Sequence, residues 1–196
     1  MGNSGPLRDY FCYGQQIMGV AGLTYLWGHA DGAMDTRIKM PFADYVAAIL
    51  GALSVVTALQ YRDRTGEGQF IELAQLEGAA HLLNVGSLDY IINGIAPEPV
   101  GNRSEIAGPH GVYPSMGHDA WCAIEVETDD QWRALIGAMG NPAWASDDRF
   151  HSNAGRVAAA QELDERLAAW TAEFTNRQVE RLLQKVGVPA GIVANG

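Results

Sequence analysis

An acidic residue, Asp44, stands at the start of a long apolar segment, with Phe42 and Tyr45 close to it on either side. An aspartate at a helix N-terminus accepts hydrogen bonds from free backbone N–H groups and meets the positive end of the helix dipole, so capping is one interpretation. A carboxylate in such apolar surroundings could also act as a nucleophile, because the helix terminus would stabilise an anion or oxyanion formed there. The spacing alone favours the cap and leaves the nucleophile open.

Other catalytic and binding motifs are missing from the sequence. The five histidines never stand at the spacing of a zinc-binding helix, and Cys12 and Cys122 have no neighbouring cysteine, so we expect neither a metal site nor a disulfide framework. The sequence also lacks the glycine–serine motif of serine hydrolases and the glycine-rich phosphate loops of nucleotide-binding proteins. Asp44 therefore remains the main candidate for chemistry.

The composition is that of an acidic globular protein. The 196 residues include 13 Lys and Arg and 23 Asp and Glu, which gives a formal net charge of −10. Nucleic-acid-binding proteins carry a basic face and anionic membranes attract basic segments, so this charge argues against both kinds of partner. The N-terminus has no signal-peptide pattern, and the longest apolar run, 45–59, is shorter than the roughly 20 residues that cross a bilayer. We expect a cytoplasmic protein.

The elements around this carboxylate are predicted to be helices and one strand. Apolar residues at helical spacing predict a short buried helix within 10–27 and a long helix over 43–62 that is buried on most faces. A polar loop, 28–39, lies between them. Residues 69–74 predict a strand and 76–93 predict more helix, and this order of helix and strand indicates an α/β unit.

A second unit follows in the sequence. Residues 121–126 alternate like a strand, and helices are predicted from Thr128 to Met139, over 158–173 and over 176–187. Both ends of the chain are unlike those of a complete domain, so we expect an internal fragment of a longer chain. The predicted segments are part of a large α/β domain over 1–78, a linker over 79–103, a small α+β domain over 104–186 and the start of a return linker over 187–196.

Four short strings occur in an order that is typical of one protein family. The most specific is the Arg-Thr-Gly-x-Gly-Gln string at 64–69, which ends the long helix, and the others lie at 2–6, 41–45 and 101–103. Together they resemble the family III CoA-transferases, a group that includes formyl-CoA transferase and carnitine CoA-transferase and is homologous to α-methylacyl-CoA racemase. The resemblance covers essentially the whole chain.

This resemblance implies a fold and an assembly. The family implies an open, Rossmann-like large α/β domain, a small α+β domain, and a homodimer in which two chains interlock like links. Its members are longer than this chain, so residues 1–78 would be an internal part of the large domain and residues 104–186 most of the small domain. It implies no metal, nucleic-acid or membrane partner.

The resemblance also implies that Asp44 is the nucleophile of a CoA-transferase. Its carboxylate would attack the thioester of an acyl-CoA donor, giving first a mixed anhydride and then an aspartyl-CoA thioester, and a carboxylic acid acceptor would reverse both steps. Coenzyme A and acyl-CoA would be substrates, with no cofactor permanently bound. The site would have to exclude water, because both intermediates hydrolyse.

Further residues are implied to bind the CoA substrate. Residues 108–113 occupy the place of the family's glycine-rich loop, although His110 could equally be an exposed loop residue. Tyr10 and Tyr13 lie where the family has an active-site aromatic, with core packing as the alternative interpretation. Arg103 is the basic residue that we assign to the phosphates of CoA. The predicted set is Tyr10, Arg103, Gly108, His110 and Gly111.

Alternative functions stay open. The racemase branch needs a histidine upstream of the aspartate as a second acid/base group, and Arg8 occupies that position here. An arginine does not exchange its proton at neutral pH, which favours the transferase. An inactive fragment or a dimerisation module is the third possibility, and it would expose apolar surface. Trp27, Tyr113 and Met116 could line an acyl pocket or belong to the core.

Overall fold

The computed structural model describes residues 1–29 and 40–194. It divides into two compact units, Met1–Gly101 and Asn102–Gly196, which we describe in turn. The predicted polar loop at 28–39 lies almost wholly outside the described residues. The fold is mixed α/β and mainly helical, and the strands of the described chain all belong to the second unit.

The described part of the first unit is helical. Helix α1 packs against the next three helices, and α3 also packs along α4. The buried core between them is small and consists of Ile17, Met18, Leu23, Ala43 and Ala79. The helices are α1 (Gly14–Val20), α2 (Leu23–Leu26), α3 (Phe42–Thr65), α4 (Gln75–His81) and α5 (Asn84–Asn93).

Helix α3 has clear signals at both ends. Pro41 precedes its first residue, where a fixed φ and a missing N–H group cost nothing. Gly66 ends it in the left-handed conformation, with φ 78°, and donates its N–H group to the carbonyl of Arg62. Glycine adopts this conformation without the penalty that a Cβ atom brings. The predicted long helix is therefore confirmed, with slightly wider bounds.

Most of the apolar surface of α3 is exposed to solvent. Of its 24 residues, all of them described, only Ala43 is buried, and Ile49 is 70% exposed. The prediction that this helix is buried on most faces is therefore wrong for this chain. A helix that is apolar all round needs cover on every side, and α1 and α4 cover only part of it.

By length and composition alone, α3 could cross a membrane. The expectation that no apolar segment is long enough was wrong, because the helix continues beyond both ends of the run 45–59. The core helix of a larger soluble protein meets the same criterion, so this observation is weak evidence for a membrane span.

Other predicted elements of the first unit need correction. Residues 69–74 do not form a strand, because no strand pairs with them within the described residues and an unpaired strand cannot satisfy its backbone groups. A Rossmann-like sheet is accordingly not seen in the described part of this unit. The helix predicted within 10–27 is two helices, separated at Gly22 with φ 88°. The stretch predicted as linker, 79–103, contains α5.

The second unit contains an antiparallel sheet of three strands in the order β1-β2-β3. Tyr113 pairs with Cys122 between the first two strands, and Ala123 pairs with Gly191 between the last two. The predicted strand at 121–126 is confirmed as β2. The strands are β1 (His110–Pro114), β2 (Trp121–Glu125) and β3 (Ala190–Ile192).

Helices cover one face of this sheet and enclose a continuous core. The hydroxyls of Thr128 and Thr175 accept hydrogen bonds from the backbone N–H groups of Gln131 and Gln178, which caps α6 and α9. These helices were predicted, and the structure confirms them with shorter bounds. The helices are α6 (Asp129–Ala138), α7 (Asn153–Ala158), α8 (Ala160–Thr171) and α9 (Asn176–Lys185). The core includes Ile124, Trp132, Leu135, Phe150, Leu163, Leu167 and Leu183.

Candidate active site

Asp44 lies in the first turn of α3, as its third residue. The residue at the cap position is Pro41, which has no side-chain hydrogen bond, so the interpretation of Asp44 as the helix cap is wrong. The side chain of Asp44 is exposed, and its carboxylate lies at the positive end of a 24-residue helix. A substrate can therefore reach this carboxylate, and the helix dipole stabilises its negative charge.

Gln75 holds this carboxylate. Its side-chain nitrogen, Nε2, donates a hydrogen bond to Oδ1 of Asp44. Gln75 is the first residue of α4, and the packing of α3 on α4 brings the two side chains together although they are 31 positions apart. Gln75 was not among the predicted site residues, because no local spacing in the sequence indicates this contact.

Gly14 lies against the carboxylate of Asp44 and leaves space for it, because glycine has no Cβ atom. A Cβ atom on this buried glycine would lie 2.6 Å from Oδ1 and 2.7 Å from Oδ2 of Asp44. Contacts this short do not occur, so any side chain here would displace the carboxylate. Gly14 is the first residue of α1, which packs on α3. This requirement also escaped the sequence analysis, since a glycine at a helix start has no distinctive signal of its own.

The predicted aromatic residues lie near the start of α1. Tyr10 and Tyr13 are 64% and 70% exposed, so their interpretation as core residues is wrong. Tyr13 immediately precedes α1, and its backbone N–H group donates to the side chain of Gln16. Trp27, in contrast, packs edge-on against Phe42 with ring centroids 5.3 Å apart, beside the small core.

The segment 108–113, which was predicted to be a loop, is mostly a strand. Most of it belongs to β1, which pairs with β2 along its length, and this pairing explains why the loop prediction was wrong. Gly108, just before the strand, is buried, and its N–H group donates to the carbonyl of Val126. A Cβ atom on Gly108 would lie 2.8 Å from the backbone nitrogen of Val157. Gly108 therefore serves packing in this structure.

Arg156 is hydrogen-bonded to the backbone just before this strand. Its side chain is completely buried, and Nε donates to the carbonyl of Gly108 at 2.8 Å. Its other nitrogens donate to the carbonyl of Phe150 at 3.0 Å and to a carboxylate oxygen of Asp129 at 2.8 Å. The guanidinium also lies over the ring of Trp132. A buried arginine is tolerated only when its donors are satisfied in this way.

His110 and Gly111 border a cleft of about 430 Å³ on the second unit. Nδ1 of His110 lies 2.6 Å from the carbonyl oxygen of Asn102, and because a carbonyl only accepts, Nδ1 carries the hydrogen. Nε2 then faces the carboxylate of Glu125 at 3.7 Å. The cleft also runs past Val112, Ala123 and Gly191.

Arg103 forms an ion pair within the second unit. Its Nε donates to Oδ2 of Asp164 at 3.3 Å, and the hydroxyl of Tyr113 donates to Oδ1 of the same carboxylate at 3.0 Å. Burial, followed by the charge of Asp164, raises the pKa of Tyr113 above its ordinary value. Tyr113 is therefore a core residue, while Met116 is exposed.

The other titratable groups of the described residues were considered as metal ligands and nucleophiles. The described part of the chain has no cluster of three or more His, Cys, Asp or Glu side chains that could hold a metal ion. Burial raises the pKa of the Cys122 thiol to about 11, so this thiol is neutral at physiological pH. Asp44, with Gln75 and Gly14 beside it, thus remains the candidate site in the described residues.

Comparison with known proteins identifies a family. A model of CoA-transferase family III matches residues 1–195. A protein of Mycobacterium tuberculosis named as a probable CoA-transferase is 33% identical over 97% of this chain, which covers 24% of that protein. The succinyl-CoA–D-citramalate CoA-transferase of Chloroflexus aurantiacus is also 33% identical over 97% of this chain, which covers 47% of that enzyme.

The fold also has a solved counterpart. The crystal structure of a CaiB/BaiF family protein from Brucella suis superposes on this chain with a TM-score of 0.89 and 28% identity. The superposition covers all of this chain and 51% of that one. The chain therefore spans between about a quarter and a half of the length of these relatives.

Proposed function

Because the chain belongs to CoA-transferase family III, we propose that it supplies the nucleophile, Asp44, for the transfer of CoA from an acyl-CoA to a carboxylic acid. One observation carries the proposal: the Asp44 carboxylate is exposed in the first turn of a long helix, bonded by Gln75 and set against Gly14. A carboxylate held in a fixed place at the positive end of a long helix is suited to attack on a thioester.

In the first half of the proposed reaction, a carboxylate oxygen of Asp44 attacks the thioester carbonyl of the donor. The C–S bond breaks, CoA leaves as a thiolate, and a mixed anhydride forms. The thiolate then attacks Cγ of Asp44 and expels the donor acid as a carboxylate, which leaves an aspartyl-CoA thioester.

In the second half, the acceptor acid repeats these steps in reverse. Its carboxylate attacks Cγ, releases the thiolate and forms a new anhydride, whose acyl carbonyl the thiolate then attacks. The products are the new acyl-CoA and free Asp44. A carboxylate nucleophile suits this chemistry because its anhydride is high enough in energy for the thiolate to reverse its formation.

The proposed substrates are small acids and their CoA esters. The name of the Chloroflexus relative gives succinyl-CoA and a citramalate as its substrates, which supports dicarboxylic acids as the first acids to test here. For CoA itself, the residues proposed are Tyr10, Arg103, Gly108, His110 and Gly111. Arg103 and Tyr10 have exposed side chains, and His110 and Gly111 border the cleft, whereas Gly108 would act by shaping the backbone.

The racemase alternative gains nothing from the structure. Arg8, at the position where a racemase needs its histidine, is an exposed residue whose guanidinium lies 3.5 Å from the carboxylate of Asp9. An arginine in an ion pair keeps its proton, so it cannot exchange a substrate α-proton. The dimer remains part of the proposal, and the bare apolar surface of α3 supports association with another protein surface.

A transfer assay tests the proposal. The protein is incubated with succinyl-CoA and a panel of carboxylic acids, and new CoA esters are separated by chromatography. We expect at least one new ester with the wild-type protein and none with Asp44→Asn. Equal product from the variant would contradict the role of Asp44, and α-proton exchange without any transfer would favour the racemase.

A further inference from the structure

We propose that Gln75 is a catalytic residue that stabilises the oxyanion formed on Asp44 when the CoA thiolate attacks its carbonyl carbon. The inference rests on the proposed function, because it concerns one step of that reaction. It assigns to Gln75 a role in the second chemical step, formation of the aspartyl-CoA thioester, and none in the first.

The hydrogen bond has only one possible direction. An ionised carboxylate accepts hydrogen bonds and donates none, so the amide of Gln75 must turn Nε2, rather than its oxygen, toward Asp44. The bond goes to Oδ1. Within the described residues no hydrogen bond to Oδ2 is seen, so Oδ2 is the oxygen that attacks the donor and Oδ1 becomes the carbonyl oxygen of the resulting anhydride.

The charge moves differently in the two steps. When Oδ2 attacks the donor thioester, negative charge develops on the donor's own carbonyl oxygen, and Oδ1 loses charge. When the thiolate then attacks Cγ, the new S–C bond pushes the π electrons of the carbonyl onto Oδ1. These electrons return as the donor carboxylate leaves with Oδ2. The Nε2 donor of Gln75 is thus bonded to the atom on which charge develops in the second step.

The neutral amide suits this task better than a cation would. A lysine or arginine bonded to Asp44 would stabilise the resting carboxylate strongly and lower its reactivity. A neutral donor forms a weaker hydrogen bond with the resting carboxylate. This hydrogen bond becomes stronger when a full negative charge develops on a single oxygen. Gln75 is also well placed to stay in position, because it is half-buried at the start of α4, whose packing on α3 sets its distance from Asp44.

Two rates measured on the same protein separate the steps. The first is the consumption of succinyl-CoA in saturating hydroxylamine, which captures the anhydride. The rate measured with Asp44→Asn is subtracted, because hydroxylamine also cleaves the thioester directly, and the difference reports the attack by Asp44. The second is the appearance of a CoA adduct on the Asp44 peptide without hydroxylamine, followed by rapid quenching and mass spectrometry. The variants are Gln75→Met, which has similar length but no donor, and Gln75→Leu, which is apolar and also lacks one. Gln161→Leu, at an exposed position on α8, is the matched control.

For both Gln75 variants we expect the rate of CoA-adduct formation to fall by about 10²–10³-fold, the usual loss when one oxyanion donor is removed. The rate of capture by hydroxylamine should stay close to that of the wild type and of the Gln161 control. An equal fall in both rates would show that Gln75 only positions Asp44 and would overturn the inference, as would two unchanged rates. If the wild type forms neither product, the proposed function itself fails.

Discussion

The two units differ in how completely they bury their apolar side chains and pair their polar ones. The second unit encloses a continuous apolar core, caps α6 and α9 with threonines and bonds every nitrogen of its buried arginine. The first unit has a core of a few residues and leaves much of its apolar side-chain surface bare. The bare side chains include Ile49, Leu53, Val56, Val85, Ile91 and Ile92.

We therefore expect substitutions in the two units to affect different properties. Residues of the second unit mostly make contacts that its own fold requires, so their substitution should affect stability first. In the first unit, Asp44 and its neighbours contribute little to packing, and their substitution should affect the reaction first. Four substitutions test this contrast.

The largest effect is expected for Asp44→Asn. Loss of the nucleophile should reduce the rate of CoA transfer by roughly 10⁴-fold or more, the scale on which enzymes lose activity when a covalent nucleophile is removed. The side chain is exposed and does not cap its helix, so the free energy of unfolding should change by less than about 1 kcal/mol. Transfer assays and calorimetry measure the two effects, and a large loss of stability would contradict the contrast.

The second expected effect is on the buried arginine. In Arg156→Leu, the carbonyls of Gly108 and Phe150 lose their donor and Asp129 loses its partner. We expect the free energy of unfolding to fall by about 2–6 kcal/mol, because each of the two buried carbonyls left without a donor costs about 1–3 kcal/mol, whereas Asp129 is exposed and returns to water. The control is Arg133→Leu, since Arg133 pairs with Asp130 at the surface. Denaturant titration measures both variants, and similar losses would refute the special role of Arg156.

Gly14→Ala tests the room beside Asp44. The new methyl group would overlap the carboxylate and displace it, and displacement of a reacting group by about 1 Å can cost 10²-fold in rate. Gly19→Ala is a matched control on the same helix, because a Cβ atom there meets nothing within 4 Å. We expect only Gly14→Ala to lower kcat, with both variants folded. Equal kcat values would show that the carboxylate moves aside freely.

The smallest effect is expected for Tyr113→Phe, which removes the hydroxyl bonded to Asp164. A hydrogen bond to a charged group contributes about 1.5–3 kcal/mol, and we expect a loss near the lower end. The pKa of Tyr113 is raised in the folded protein. The protonated hydroxyl therefore contributes fully to the free energy of unfolding below about pH 10, and this contribution is lost as the pH rises further. Unfolding titrations between neutral and alkaline pH should show this decline in the wild type and a smaller one in the variant.

Local patterns in the sequence predicted much of the fold. Helix α3 followed from apolar spacing and the glycine after its last residue, and α6 and α9 followed from threonine caps. These features are short-range, so a single sequence contains them. Burial was predicted less well, because it depends on what covers a helix, and the apolar faces of α3 lack cover in this chain.

The candidate site was predicted only in its central residue. Asp44 stood out by its place before an apolar helix, and family resemblance made it a nucleophile. Gln75 and Gly14 escaped, because each reaches Asp44 through the packing of a different helix and neither has a local signature. The strand at 110–114 was taken for a loop, since its glycine and proline content hides the pairing with β2.

The central claim, that Asp44 forms a covalent bond with the substrate, is tested most directly by peptide mass spectrometry. The protein is incubated with a panel of acyl-CoA donors and quenched with hydroxylamine, which converts an acylated aspartate into a hydroxamate. We predict a hydroxamate on the peptide that contains Asp44 and none in Asp44→Asn. A hydroxamate on another residue, or none with any donor, would contradict the account.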